Sequence, residues 1–126
     1  MHVNNYKIEP GANLMGADLA YANMRGANLM GAKLYSARLE IANLTGAKLE
    51  GADLEIANLM GTNLSGADLT YANLRGANLV ITVLIGAKLE GADLEIANLE
   101  GADLEGVNLM GAHLEGARMP NGTIHD

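Results

Sequence analysis

The chain has 126 residues, of which 49% are hydrophobic, a formal net charge of −7 and no cysteine. The length favours a single domain, the missing cysteines exclude disulfides and thiolate chemistry, and the acidic balance argues against direct binding to nucleic acid. The first residues lack an apolar signal region, and no apolar run approaches the roughly 20 residues of a membrane span. We therefore expect a cytoplasmic protein that does not contact a membrane.

Residues 1–11 precede a periodic array and are out of phase with it. Pro10 and Pro120, the only prolines, flank that array, and proline cannot donate to a hydrogen-bonded ladder. We predict that residues 1–11 form an N-terminal cap in which Tyr6 or Ile8 covers the first coil. Residues 122–126 are predicted to be a C-terminal tail, where one further step of the period lands on Ile124.

Residues 12–121 repeat every five positions. Steps of five from Leu14 to Met119 give 22 centre positions, which all hold Leu except Met24 and Met119. A small residue, usually Ala, lies two positions before each centre, and Gly most often lies two positions after it. Self-similarity at a fixed period is typical of a repeat architecture.

A period of five fits neither a straight helix nor a straight strand. In a helix the leucines would drift by about 140° per unit, and in a strand successive leucines would face opposite sides because five is odd. The leucines share one side only if the chain turns within every unit. Four turns close a coil of about 20 residues, and we expect the coil to be right-handed, as parallel crossovers are. The sequence thus predicts an all-β quadrilateral solenoid of about five and a half coils, with Leu and the preceding Ala inside.

Units such as GANLM, GADLE and IANLT resemble those of the pentapeptide-repeat family, written A-(D/N)-L-x-x, over residues 12–121. The resemblance implies a right-handed quadrilateral β-helix with the central Leu and the preceding Ala inside. Some members of this family bind DNA gyrase and protect it from quinolones, a role attributed to an acidic, duplex-like rod. This chain differs from those members because it has no Phe at any centre, no loop interrupting the array and no apparent C-terminal helix.

The third position of each turn carries Gly in most units, which favours a type II turn with positive φ. Larger residues replace that Gly at several corners. Because β-branched and aromatic residues avoid positive φ, we predict that these corners adopt another turn type. The corners in question are Ile41, Ile56, Tyr71, Ile81 and Ile96.

The outward residue before each centre is most often Asn or Asp. Units 20 residues apart should stack, so the amides should form columns, and amides in register are able to form hydrogen-bonded ladders. One further column alternates in charge. The amide columns are Asn23, Asn43, Asn63 and Asn58, Asn78, Asn98, and the charged column is Lys48, Asp68, Lys88.

The segment from Val80 to Ile85 breaks the polar pattern of the outward positions. Val80, Ile81, Val83 and Ile85 should point outward around one corner, with Met60 one coil away beside Val80. Contiguous exposed apolar surface often marks an interface. We interpret these five residues as a candidate interaction patch for a second copy of the chain or for another protein. The alternative is local packing of neighbouring aliphatic corners.

The negative charge is concentrated near one end of the array. Residues 86–117 hold seven acidic residues against Lys88, giving −6, whereas residues 1–85 give −1. A solvated face is the plainer interpretation, although such a field attracts basic partners. The acidic residues are Glu90, Asp93, Glu95, Glu100, Asp103, Glu105 and Glu115.

The sequence predicts no catalytic, cofactor-binding or metal-binding residue. His2, His113 and His125 are isolated, whereas a metal site needs converging ligands. We therefore expect a non-enzymatic structural or protein-interaction module with no cofactor. The alternative is an acidic DNA mimic that binds a type II topoisomerase such as gyrase.

Overall fold

The computed structural model describes residues 1–126 and shows a β-helix. Each outward residue pairs in parallel with the residue 20 positions later, from Asn13 with Lys33 to Asn98 with Arg118. One coil therefore contains four five-residue units, and residues 20 apart stack in columns. No helix in the structure has the length and apolar character needed to cross a membrane.

The coils are held together by backbone hydrogen bonds in a repeating pattern. The N–H of Leu14 donates to the carbonyl of Lys33 at 2.7 Å, and the N–H of Lys33 donates back to Ala12 at 2.9 Å. The N–H of Ala17 donates to Leu14 at 3.0 Å and closes the turn between them. Stacking thus satisfies polar backbone groups that would be costly to bury unpaired.

The core is a stack of leucines and alanines. Centre residues from Leu14 to Leu99 are at most 2% exposed, and Leu54, Leu59 and Leu64 are completely buried. Between them, Glu55 and Asn58 remain partly exposed. The predicted inward register is therefore confirmed.

The first residues form a short hairpin. Strand β1, His2–Val3, pairs antiparallel with strand β2, Tyr6–Lys7. Asn4 and Asn5 connect the strands, both with positive φ, which is the geometry of a two-residue type I′ turn. Ile8 is buried in the core, and Tyr6 packs against the core from outside. Both residues proposed to cover the first coil therefore contribute to the cap.

The last residues reverse direction. Arg118 pairs antiparallel with Ile124, and the N–H of Met119 donates to Thr123 at 2.7 Å. Ile124 is exposed, so the inward leucine column ends at Met119 and does not continue one step further. The final centres, such as Leu109 and Leu114, are only partly buried.

The prediction that the large corner residues avoid type II turns is wrong. Ile41, Ile56, Tyr71, Ile81 and Ile96 have φ between 51° and 58°. The tertiary stacking explains this, because the N–H of each corner residue donates to the next coil, as Ile41 does to Met60 at 3.0 Å. Another turn type would redirect that N–H, so stacking overrides the local preference of the side chain.

Candidate interaction face

The corner isoleucines lie in two adjacent columns of the rod. The first corner column contains residues 16, 36, 56, 76, 96 and 116, and the second contains residues 21, 41, 61, 81, 101 and 121. Ile56 and Ile96 belong to the first column, and Ile41 and Ile81 belong to the second. We call the side of the rod between these columns the isoleucine face.

These four isoleucines are strained and exposed at the same time. Their φ values lie in the left-handed region, which costs an L-residue about 1–2 kcal/mol relative to its normal conformation. Between 49% and 57% of each residue is exposed to solvent. Gly meets the same backbone requirement at most other corners without this strain, so backbone geometry alone does not explain the isoleucines.

Part of each isoleucine covers a glycine in the same column. A Cβ atom added to Gly61 would lie 3.3 Å from Cγ1 of Ile41 and 3.9 Å from Cδ1 of Ile81. The same relation holds between Gly76 and Ile56, where the distance is 3.2 Å. The side chains therefore lean along the column and join into two apolar ridges that border the face.

Two buried threonines brace the second corner column from inside. Thr62 and Thr82 occupy the inward position that is elsewhere usually Ala, and both are completely buried. The hydroxyl of Thr62 donates to the carbonyl of Leu39 at 2.6 Å, and that of Thr82 donates to Leu59 at 2.7 Å. Each bond links consecutive coils at this corner, which holds the ridge of Ile41 and Ile81 on a rigid support.

The predicted patch is brought together, but it divides between two sides of the rod. Met60, 39% exposed, and the half-buried Val80 lie on the isoleucine face, and Ile81 is at its corner. Val83 and Ile85 lie on the next side, where Val83 pairs with Asn63 and Asp103. The patch therefore wraps one corner, as its sequence positions suggest.

Sequence reasoning missed three members of the larger apolar surface. Ile41, Ile56 and Ile96 were treated only as unusual corners. The signal was available, because Ile41 lies two coils from Ile81 and Ile56 lies two coils from Ile96. Columns read at a spacing of 20 residues would have placed all four on one side.

The outward Asn and Asp side chains stabilise turns and do not form the predicted ladders. Oδ1 of Asn58 accepts the N–H of Met60 at 3.1 Å, and Oδ1 of Asn78 accepts the N–H of Val80 at 3.1 Å. Every Asn or Asp of the outward row makes this bond to the residue two positions later. The side-chain Oδ1 thus accepts a bond within its own turn, which explains why either Asn or Asp serves at this position.

The alternating column of Lys48, Asp68 and Lys88 forms no ion pair. The residues are stacked as predicted, but the carboxylate of Asp68 accepts bonds from the backbone and hydroxyl of Thr70. Asp68 is therefore bonded locally to Thr70 and does not pair with Lys48 or Lys88.

The acidic residues of the last coils are distributed over all four sides of the rod. Glu100 belongs to the isoleucine face, Glu105 to the next side, Glu90 to the third and Asp93 to the fourth. Glu95 forms an ion pair, because its carboxylate lies 3.3 Å from the guanidinium of Arg75. The remaining acidic residues of the group are Asp103 and Glu115, both exposed.

The structure contains no cluster of His, Asp or Glu that could hold a metal ion, and its surface has no cavity.

The comparisons with known proteins agree on the architecture. Pentapeptide repeats match residues 12–51, 42–79, 57–95 and 77–116, in 8 copies. The pentapeptide repeat protein Rfr23 from the cyanobacterium Cyanothece 51142 is 39% identical, with a TM-score of 0.69 over 79% of this chain and 64% of Rfr23. Among curated proteins, no match is found.

Two further solved structures are similar. HetL, a pentapeptide repeat protein involved in heterocyst differentiation regulation in Nostoc sp. strain PCC 7120, is 39% identical over 91% of this chain and 62% of HetL, with a TM-score of 0.44. AT2G44920, from the Arabidopsis thaliana thylakoid lumen, is 27% identical over 96% of this chain and 72% of that protein, with a TM-score of 0.48. The chain spans less than two thirds of the length of Rfr23 and of HetL.

Proposed function

Because this chain belongs to the pentapeptide-repeat family, we propose that it is a non-enzymatic interaction module whose isoleucine face binds a protein partner. In this proposal the chain is a right-handed, four-sided rod of about five and a half coils. The rod supplies a rigid support, and function resides in the side chains that its outer faces display.

The observation that carries this proposal is the position of four exposed isoleucines in strained backbone. Strained residues persist where the surrounding structure enforces them, and they are concentrated at functional sites. Covering glycines accounts for the buried part of each side chain, but about half of Ile41, Ile56, Ile81 and Ile96 remains in contact with water. A partner that covers this surface recovers about 25 cal/mol for each Å² of apolar area.

The polar groups of the face suit a protein partner. Asn58, Asn78 and Asn98 run along its middle and are partly buried between the two ridges. Apolar ridges around a row of hydrogen-bonding groups resemble the mixture of apolar and polar contacts in protein interfaces. Met60 and Val80 extend the apolar area at the second ridge.

The second candidate, an acidic mimic of DNA that binds a type II topoisomerase such as gyrase, has narrower support. The net charge of −6 over residues 86–117 favours it. A duplex carries regular charge along its whole length, whereas residues 1–85 of this chain carry only −1. The acidic surface therefore covers one end of the rod.

Site-specific photo-crosslinking tests the proposal. A photoreactive residue at Ile81 should give a discrete protein adduct in an extract of the source organism. Tyr71 is the matched control, because it is an exposed corner residue with positive φ outside both isoleucine columns. Equal labelling from both positions, or no discrete adduct at Ile81, would show that the isoleucine face is not a binding surface.

A further inference from the structure

We propose that the partner of the isoleucine face is a second copy of this chain, packed face to face about a two-fold axis with the two rods antiparallel. This inference rests on the proposed function and names the occupant of the same face. A two-fold axis makes such an interface self-complementary and closes the assembly at a dimer.

The charge distribution selects the antiparallel arrangement. In a parallel pair, the segments 86–117 would lie side by side, each with a net charge of −6. In an antiparallel pair, each acidic segment lies beside the first coils of the other copy. Residues 19–50 there carry a net charge of +2, from Arg25, Lys33, Arg38 and Lys48 against Glu40 and Glu50. Complementary potentials favour the second arrangement and disfavour the first.

The alternation of large and small corner residues selects the register. The first column reads Ser36, Ile56, Gly76, Ile96, and the second reads Ile41, Gly61, Ile81, Gly101. When Asn58 lies opposite the partner's Asn78, every isoleucine lies opposite a Gly or Ser position. At the Gly positions it packs on the aliphatic atoms that neighbouring isoleucines extend over them. The facing pairs are Ile56 with the partner's Gly76, Ile96 with the partner's Ser36, Ile41 with the partner's Gly101, and Ile81 with the partner's Gly61.

The middle of the face is compatible with the same register. Nδ2 of Asn78 makes no hydrogen bond within the chain, and its Oδ1 accepts only the N–H of Val80. It is therefore free to donate to the amide oxygen of the partner's Asn58, which avoids an unsatisfied donor at the centre of the interface. Met60 lies opposite the partner's Val80, so an apolar pair forms beside the amides.

One charged pair matches at the rim beside the first corner column. Glu55 and Arg75 occupy the position before the first corner column in consecutive coils, and in this register Glu55 faces the partner's Arg75. The two-fold axis generates the same pair a second time. Within its own chain Arg75 contacts Glu95 at 3.3 Å, so in the dimer its guanidinium lies between two carboxylates. At the opposite rim Glu100 faces the partner's Glu40, whose carboxylate is already bonded to Asn58 and lies near Arg38 in its own chain.

The size of the face predicts a weak, reversible dimer. Five coils at about 4.8 Å and four residues at about 3.3 Å give a face of about 24 Å by 13 Å. Two such flat faces have an area of about 620 Å² together, and the relief of the side chains raises the buried area to at most about 1,000 Å², which is in the range of weak, transient interfaces. Self-association should therefore depend on protein concentration.

Sedimentation of charge-reversal variants tests both the partner and the register. In a dimer of Glu55→Arg, both symmetry-related rim pairs would consist of two arginines. In a dimer of Arg75→Glu, both pairs would consist of two glutamates. Each variant alone should therefore be monomeric. An equimolar mixture of the two variants restores both opposite-charge pairs and should dimerise. Lys48→Glu, on another side of the rod, is the matched control and should dimerise like the unchanged chain. Circular dichroism checks that every variant keeps the fold.

The possible outcomes separate this inference from the proposed function. A chain that stays monomeric up to about 1 mM, where a micromolar Kd gives almost complete dimer, overturns the inference. A discrete adduct of another protein at Ile81 would in that case still support the proposed function. A dimer that survives both single variants and Met60→Glu uses a different surface, which overturns the inference as well. If each single variant is monomeric and only their equimolar mixture dimerises, the result supports the register.

Discussion

Replacement of Ile81 tests whether a strained isoleucine forms the second ridge. Ile81→Ala and Ile81→Gly both remove the buried part of the side chain, slightly under half of the residue, at a cost of about 1 kcal/mol. Gly also removes the left-handed strain, about 1–2 kcal/mol, but adds about 0.5–1 kcal/mol of unfolded-state entropy. Ile81→Gly should therefore be close to the unchanged chain in stability and more stable than Ile81→Ala by up to about 1.5 kcal/mol.

Ile85 is the matched control for this comparison. It is also partly exposed, at 42% against 56% for Ile81, but its φ is not positive. Here Ala should be more stable than Gly by about 0.5–1 kcal/mol, the reverse of the order at Ile81. Urea denaturation followed by circular dichroism gives the free energy of unfolding of all four variants. If Ala is the more stable substitution at both positions, Ile81 does not have positive φ and the argument from strain is wrong.

Three further predictions address the core, the acidic end and the second candidate function. Leu59→Ala should cost about 2–5 kcal/mol in a denaturant titration because it leaves a cavity in a buried column, whereas Leu114→Ala, at the partly open end, should cost clearly less. Glu95→Gln should lower the free energy of unfolding by up to about 1 kcal/mol, because it removes an exposed ion pair. Glu105→Gln should leave stability unchanged or slightly raised at low salt, and both differences should be smaller at high salt. Equal losses for the two variants would contradict the pairing geometry. Gyrase supercoiling should be unaffected by the protein, and strong inhibition would favour the acidic mimic.

The register of the core could be predicted from the sequence because inward and outward positions differ strongly in chemistry. Leucine and alanine recur at fixed positions in a chain that must turn in every unit, so only one set of residues can be inside. Leu59 and Asn58 illustrate this, since they are neighbours and their exposure was assigned correctly. The candidate patch around Val80 was also recognised, because apolar residues break the polar outward row there.

The sequence alone determined the repeat, the inward residues and the family, since these depend on a periodic pattern that every unit repeats. The tertiary structure decided the backbone of Ile41 and Ile81, because stacking on the next coil fixes the direction of their N–H groups against their own preference. It also decided which apolar corners share a side, since residues two coils apart meet only when the chain is wound. Local rules describe one unit at a time, whereas the isoleucine face exists only between coils.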